Sequence, residues 1–191
     1  RQSGGVGRVG FELYSLFIKD VLTKLRAEKT IETLPQDVLV NIYKNSIIPQ
    51  NYIPSPSIRI SFYRKLSSVS SLGGIDLIRR ELINRFGPIP SSVVRLIDVW
   101  KIRVLASACG ILSVEDLQGL ITITLRGSAL EHSVDLVVKY LPEILDGLGW
   151  QYHFKPQKNN NLCIILSGLD GVDIASKILI FMNKLQTIIK Q

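Results

Sequence analysis

Residues 49–110 read PQNYIPSPSIRISFYRKLSSVSSLGGIDLIRRELINRFGPIPSSVVRLIDVWKIRVLASACG. Proline and glycine punctuate the stretch, and between the punctuation marks apolar residues recur at helical spacing. Pro49, Pro54 and Pro56 restrict the backbone around Tyr52 and Ile53. Ser55-Pro56 is an N-cap and first-turn pair, which predicts a helix over 56–69 with Ile58, Phe62 and Leu66 along one side and Tyr63 flanking them. Gly73 and Gly74 interrupt the pattern. It resumes over 75–86, with Ile75, Ile78, Leu82 and Phe86 on one face, and Gly87-Pro88 stops it. A third helix is predicted over 91–109, capped by Ser91 or Ser92 and ended by Gly110. Val94, Ile97, Trp100 or Lys101, and Leu105 mark its apolar side. Nothing in the stretch is arranged for catalysis; it reads as a docking platform.

Upstream, residues 1–10 hold four glycines without periodicity and read as a linker or interrupted loop. Leu13, Leu16, Phe17, Val21 and Leu25 predict an amphipathic helix over 11–28, followed by a polar connection and a short strand at Val38–Tyr43. Downstream, LITITL at 120–125 is a strand and 129–145 a helix. The segments 150–154 and 162–166 are two strands that the polar run KPQKNNN joins as a hairpin. Asp170 opens a last helix over 171–189. Glu115-Asp116 reads as a turn. The predicted fold class is α+β, with a linker helix and a helical segment packed on a small, mainly antiparallel sheet that carries helices on one face. The division is an N-terminal part at 1–36 and a domain at 37–191.

A chain of 191 residues is one domain, or one domain plus an arm, and 46% hydrophobic content is enough to bury a core. No apolar run reaches the roughly 18 residues of a membrane-spanning helix, and no secretory signal is present. The first residue is Arg1 rather than Met, as expected of a piece of a longer protein. Cys109 and Cys163 lie in apolar segments and read as buried free thiols in a reducing cytoplasm. The net charge of +7 is uneven: residues 59–103 carry nine basic and three acidic groups, and residues 1–29 carry six and three. Such a field attracts nucleic acid or an acidic protein surface, unless it is simply a solvated helix face. Arg59, Arg64 and Lys65, with Arg79 and Arg80, are the candidate phosphate contacts. Against that reading, Phe62, Tyr63 and Phe86 sit at core-like spacing rather than on an exposed stacking platform.

Independent chemistry is missing from the sequence. There is no G-x-x-x-x-G-K-[ST] loop and no G-x-S-x-G elbow. His132 and His153 stand apart, without the clustered Cys and His of a zinc site, so no metal and no cofactor is expected in this stretch of chain.

Pro49, Tyr52, Ile53 and Pro54, then Arg59, Phe62 and Tyr63, then Glu81, Leu82, Arg85, Phe86, Gly87 and Pro90, then Gly110 and Ile111 follow one another in an order that resembles a known family. It is the C-terminal (TRCF) domain of the bacterial transcription-repair coupling factors, the Mfd family. The pattern departs at Asn84, where the family usually has Asp, and at Ser57, often Asn. Gln2, Ser3, Gly4, Val9, Gly10, Phe11, Leu13 and Tyr14 resemble the tail of the translocation motif that Mfd shares with the RecG translocase. The resemblance implies a non-catalytic domain of an ATP-dependent DNA translocase that displaces stalled RNA polymerase and recruits excision repair. ATP and magnesium belong to the motor of that parent. It further implies docking on the UvrA-binding module of the same polypeptide through Glu81 and Asn84, with Arg80 and Arg85 beside them. That contact holds the resting enzyme closed. Asn84 supplies no charge, so here the contact is weaker or uses a neutral hydrogen bond. UvrA, RNA polymerase and DNA are indirect partners through the parent, and no membrane is involved.

Overall fold

The structure is a computed structural model that describes residues 38–127, 134–158, 161–167 and 174–189. The expected linker helix, the translocation-motif residues Gln2, Gly4 and Gly10, and the 1–36 part lie outside the described residues. The elements in chain order are β1 (Leu39–Asn41), α1 (Pro56–Ser68), α2 (Leu72–Phe86), α3 (Ser91–Ala108), β2 (Ile111–Leu117), β3 (Leu120–Leu125), α4 (Val134–Asp146), β4 (Gln151–Pro156), β5 (Leu162–Ser167) and α5 (Ile174–Ile189). The fold is α+β, with strand order β1-β2-β3-β5-β4. Among the described residues only the β1–β2 pair is parallel; the other three pairs are antiparallel.

Two hydrophobic clusters form, and α3 serves both. Its first half gives Val93, Leu96 and Ile97 to a cluster with Ile48, Ile53, Phe62, Leu66, Ile75, Ile78 and Leu82. Its second half gives Ile102, Leu105 and Ala106 to a larger cluster on the sheet. There Ile121, Ile123 and Leu125 of β3 pair with Leu166, Ile164 and Leu162 of β5, and α4 and α5 cover the same face with residues such as Leu141, Leu145, Phe181 and Met182. Both cysteines are buried and neither is in a disulfide.

Several boundaries differ from expectation for identifiable reasons. Helix α2 starts at Leu72 and takes both glycines into its first turn. Ser71 caps it by accepting a hydrogen bond from the Gly74 N–H at 3.2 Å. A Cβ at Gly74 would stand 2.8 Å from Val69 Cγ1, so glycine is what lets α2 turn back so closely on α1. Helix α3 has Pro90 at its N-cap, not Ser91 or Ser92, and Val94 is exposed rather than on the apolar side. Ser55 occupies the N-cap of α1 but makes no side-chain cap bond; its hydroxyl lies 3.0 Å from that of Ser57.

The strand β2 was not expected, and Glu115 and Asp116 lie within it rather than in a turn. Its register shifts between Ile111 and Ser113, so Leu112 is an extra, bulged residue. Ile111 and Val114, three apart in sequence, thereby both reach the core. The turn comes after Asp116: Gln118 (φ 57°) and Gly119 (φ 87°) are both left-handed, as a two-residue hairpin of primed type requires. The Asp116 carboxylate accepts the Gly119 N–H at 2.8 Å and so closes the turn from inside the strand.

Candidate docking surface

The motif residues fall into two groups according to what the fold uses them for. Tyr52 donates its hydroxyl hydrogen toward the carbonyls of Leu82 and Gly87, each at 3.1 Å, and so ties the Pro49–Pro54 loop to the end of α2. Burial raises the Tyr52 pKa. The Tyr63 hydroxyl accepts the N–H of buried Ile48 at 2.8 Å. Arg59 Nη1 donates to the carbonyls of Ile53 (2.6 Å) and Pro54 (2.9 Å), closing the same loop from the α1 side. Phe62 is fully buried and meets Phe86 edge-on at 5.9 Å, and Tyr52 meets Phe86 at 6.0 Å. Gly87 stops α2 with φ 83° and ψ −161°, a conformation close to glycine's alone. All of these residues hold the loop, α1 and α2 together.

The second group lies on the outward side of α2. Glu81 is half-buried; Arg80, Asn84 and Arg85 are exposed. Lys65 reaches across from α1 to both carboxylate oxygens of Glu81, at 2.6 and 2.8 Å, and Arg85 donates to Oε1 at 2.8 Å from one turn further along α2. The Lys65 hydrogen bonds, joined by those of Arg85, hold the Glu81 carboxyl below its ordinary range despite some opposing desolvation. Arg85 also lies over the rings of Phe62 (5.6 Å) and Phe86 (5.1 Å), so it is seated by packing as well as by charge. The Asn84 side chain makes no hydrogen bond to another described residue.

The structure thus brings the four expected docking residues to one helix face and divides the three candidate phosphate contacts. Arg59 is committed to loop carbonyls, Lys65 to Glu81, and Arg64 is exposed. One feature of the face escaped the sequence reading: Leu77, one turn before Glu81, is 66% exposed. Its signal was a leucine lying off the helical stripe of Ile75, Ile78 and Leu82. Among the described residues no group of three or more His, Cys, Asp or Glu could hold a metal ion, and no helix is long and apolar enough to cross a membrane.

Residues 42–134 match the family described as "TRCF domain". The chain carries a TRCF domain. The transcription-repair-coupling factor of Staphylococcus aureus (strain USA300) is 33% identical over 132 residues, covering 69% of this chain and 11% of that protein. Its counterpart in Escherichia coli (strain K12) is 32% identical over 117 residues, 60% of this chain and 10% of that protein. The chain therefore spans about a tenth of the length of these curated relatives. The crystal structure of the C-terminal domain of transcription-repair coupling factor superposes with a TM-score of 0.71, over 81% of this chain and 94% of that one, at 19% identity. That structural match covers more of the chain than the residues 42–134 matched by the family.

Proposed function

We propose that this TRCF domain is a non-catalytic regulatory part of a transcription-repair coupling factor. It docks through the outward face of α2 on the UvrA-binding module of the same polypeptide and masks it. The parent is a cytoplasmic ATP- and magnesium-dependent DNA translocase that removes stalled RNA polymerase and recruits excision repair through UvrA. The observation that carries the docking reading is the division of the motif. Most of its residues are consumed in building the loop–α1–α2 unit, whereas Arg80, Glu81, Asn84 and Arg85 are presented together on one side of a helix. Masking is a two-state equilibrium, and a closed state favoured by about 3 kcal/mol leaves under about one per cent of molecules open. Glu81 already holds Lys65 and Arg85, so pairing it with a cation of the module exchanges one of these partners for another. Such an exchange among surface charges contributes only about 0–1 kcal/mol, enough to tune a clamp without creating one.

The test is titration of the 191-residue chain, at low and moderate salt, against the separately expressed module and against duplex DNA. Saturable binding of the module, weakened by Glu81→Ala, supports docking. DNA binding with a steep salt slope and no binding of the module would make the basic surface a DNA clamp instead.

A further inference from the structure

A groove of about 560 Å³ runs between the end of α1, with the residues that follow it at 67–70, and the second half of α3. Val69, Trp100 and Val104 line it and pack on the margin of the helical cluster, whereas Val38 lines it and belongs to the sheet cluster. The groove therefore lies on the seam between the two cores. Among the described residues that line it, Arg103 is the one that carries charge, and its guanidinium lies over the Trp100 ring at 4.8 Å.

The path of the chain places one segment at this seam. β1 runs parallel to β2 with Leu39 beside Ser113, and β2 begins three residues after α3 ends at Ala108. Val38 thus stands at the junction of α3 and β2, and the chain that precedes it, residues 30–37, leaves from a wall of the groove. Eight residues reach at most about 26 Å from that point. Their sequence, TIETLPQD, matches the lining in character. Pro35 favours an extended Leu34, and in an extended chain residues four apart face the same side, so Leu34 faces as Val38 does. Leu34 is an apolar counterpart for Val69, Trp100 and Val104. Glu32 and Asp37 are the two acidic residues of the whole stretch 30–58, and both fall within these eight positions, as counterparts for Arg103.

We infer that the groove is the seat of the chain's own residues 30–37, laid across it in extended form, with Leu34 against Trp100 and Val104 and the carboxylates of Glu32 and Asp37 about Arg103. The segment then touches both cores and covers the end of α1, two residues beyond Lys65. The inference is independent of what the α2 face docks against.

Thiol labelling of the full 191-residue chain with a maleimide tests it. Ser107→Cys puts a thiol on the groove wall, and Ser61→Cys puts one on α1 outside the groove; both serines are exposed in the described fold. The parent sequence supplies the background of the buried Cys109 and Cys163. Ser107→Cys is expected to react about tenfold more slowly than Ser61→Cys, and Leu34→Asp is expected to bring the two within about twofold. Arg103→Glu is expected to speed labelling of Ser107→Cys about threefold, as loss of a surface ion pair does, and Glu32→Lys with Asp37→Lys to restore the protection. Thermal midpoints measured on each variant separate release of the segment from loss of the fold. Equal labelling of the two thiols in the otherwise unaltered chain means an open groove and overturns the inference. Protection that is indifferent to Leu34→Asp overturns it as well. Protection that rises with protein concentration gives the groove to a second copy of the chain, with the same consequence.

Discussion

Removing one oxygen atom from Tyr52 tests whether the proline- and aromatic-rich motif around it is a folding device. In Tyr52→Phe the ring remains, and with it the edge-on contact to Phe86 at 6.0 Å. What is lost is a hydroxyl lying 3.1 Å from two carbonyls, those of Leu82 and Gly87. One hydrogen serves both acceptors, so the loss amounts to one good hydrogen bond with its two acceptors returned to partial solvation. The net loss is therefore about 1–1.5 kcal/mol, not twice that. For a domain of this size such a change lowers the thermal midpoint by about 2–6 °C. Urea unfolding followed by tryptophan fluorescence and circular dichroism measures it, and the midpoint is expected to fall at unchanged slope. A Tyr52→Phe variant within about 0.3 kcal/mol of the parent sequence would show that the hydroxyl does not hold the loop to α2.

Tyr63→Phe is expected to destabilise more, by about 1–3 kcal/mol, because it strands a donor, the N–H of buried Ile48, rather than an acceptor; the same unfolding assay ranks the two. Gly87→Ala meets no steric neighbour, yet its φ of 83° at ψ −161° is strained for any side chain; a loss of about 1–3 kcal/mol is expected, and an unchanged midpoint would refute the backbone argument. Burial, aided by Asp146, pushes Tyr152 up to about 12. A raised acid pKa stabilises the fold below the ordinary tyrosine value and withdraws that stability as pH rises toward the folded one. Absorbance at 295 nm is therefore expected to show a late tyrosine ionisation step, near the raised Tyr152 value, that Tyr152→Phe removes. Glu81 is shifted the other way. Its stabilising contribution is present above the ordinary carboxylate range and is lost as pH falls through its depressed value. Lys65→Met is expected to bring the Glu81 carboxyl shift in an NMR titration back toward the ordinary range.

The helical half of the fold was legible because its boundaries are chemical. Pro56, Gly87 and the Pro88–Pro90 run act on the backbone directly, whatever surrounds them. The β4–β5 hairpin was legible for a related reason, since KPQKNNN has no apolar residue to bury. Strand β2 was hidden because its bulge at Leu112 puts Ile111 and Val114 out of the two-residue rhythm, and two adjacent acids lie among them. The extension of α2 to Leu72 was hidden because glycine reads as a breaker, whereas at Gly74 it is demanded by contact with Val69, which is distant information for a local pattern. For the docking surface, the helical period placed Arg80, Glu81 and Asn84 on one side. It could not show that Lys65 crosses from α1 to occupy Glu81, because that pair is sixteen residues apart and depends on how the two helices pack.

The strand β1 has a mechanical consequence. It is three residues long, lies at the sheet's edge, and pairs with β2 alone, through Leu39, Val40 and Asn41. It is also where residues 1–37 join the described fold. Tension arriving along the chain from that side is borne first by this short ladder and by the buried Val38 and Ile42 at its two ends. Pulled along its own axis the ladder is loaded in shear, and its bonds share the force. Pulled away from the sheet edge it opens one bond at a time. The direction of an upstream pull, more than its size, then decides whether β1 peels from β2. The antiparallel strands inside it and the clamp of Tyr52, Arg59 and Tyr63 would remain intact, so β1 is a tether that yields before the α1–α2 unit does.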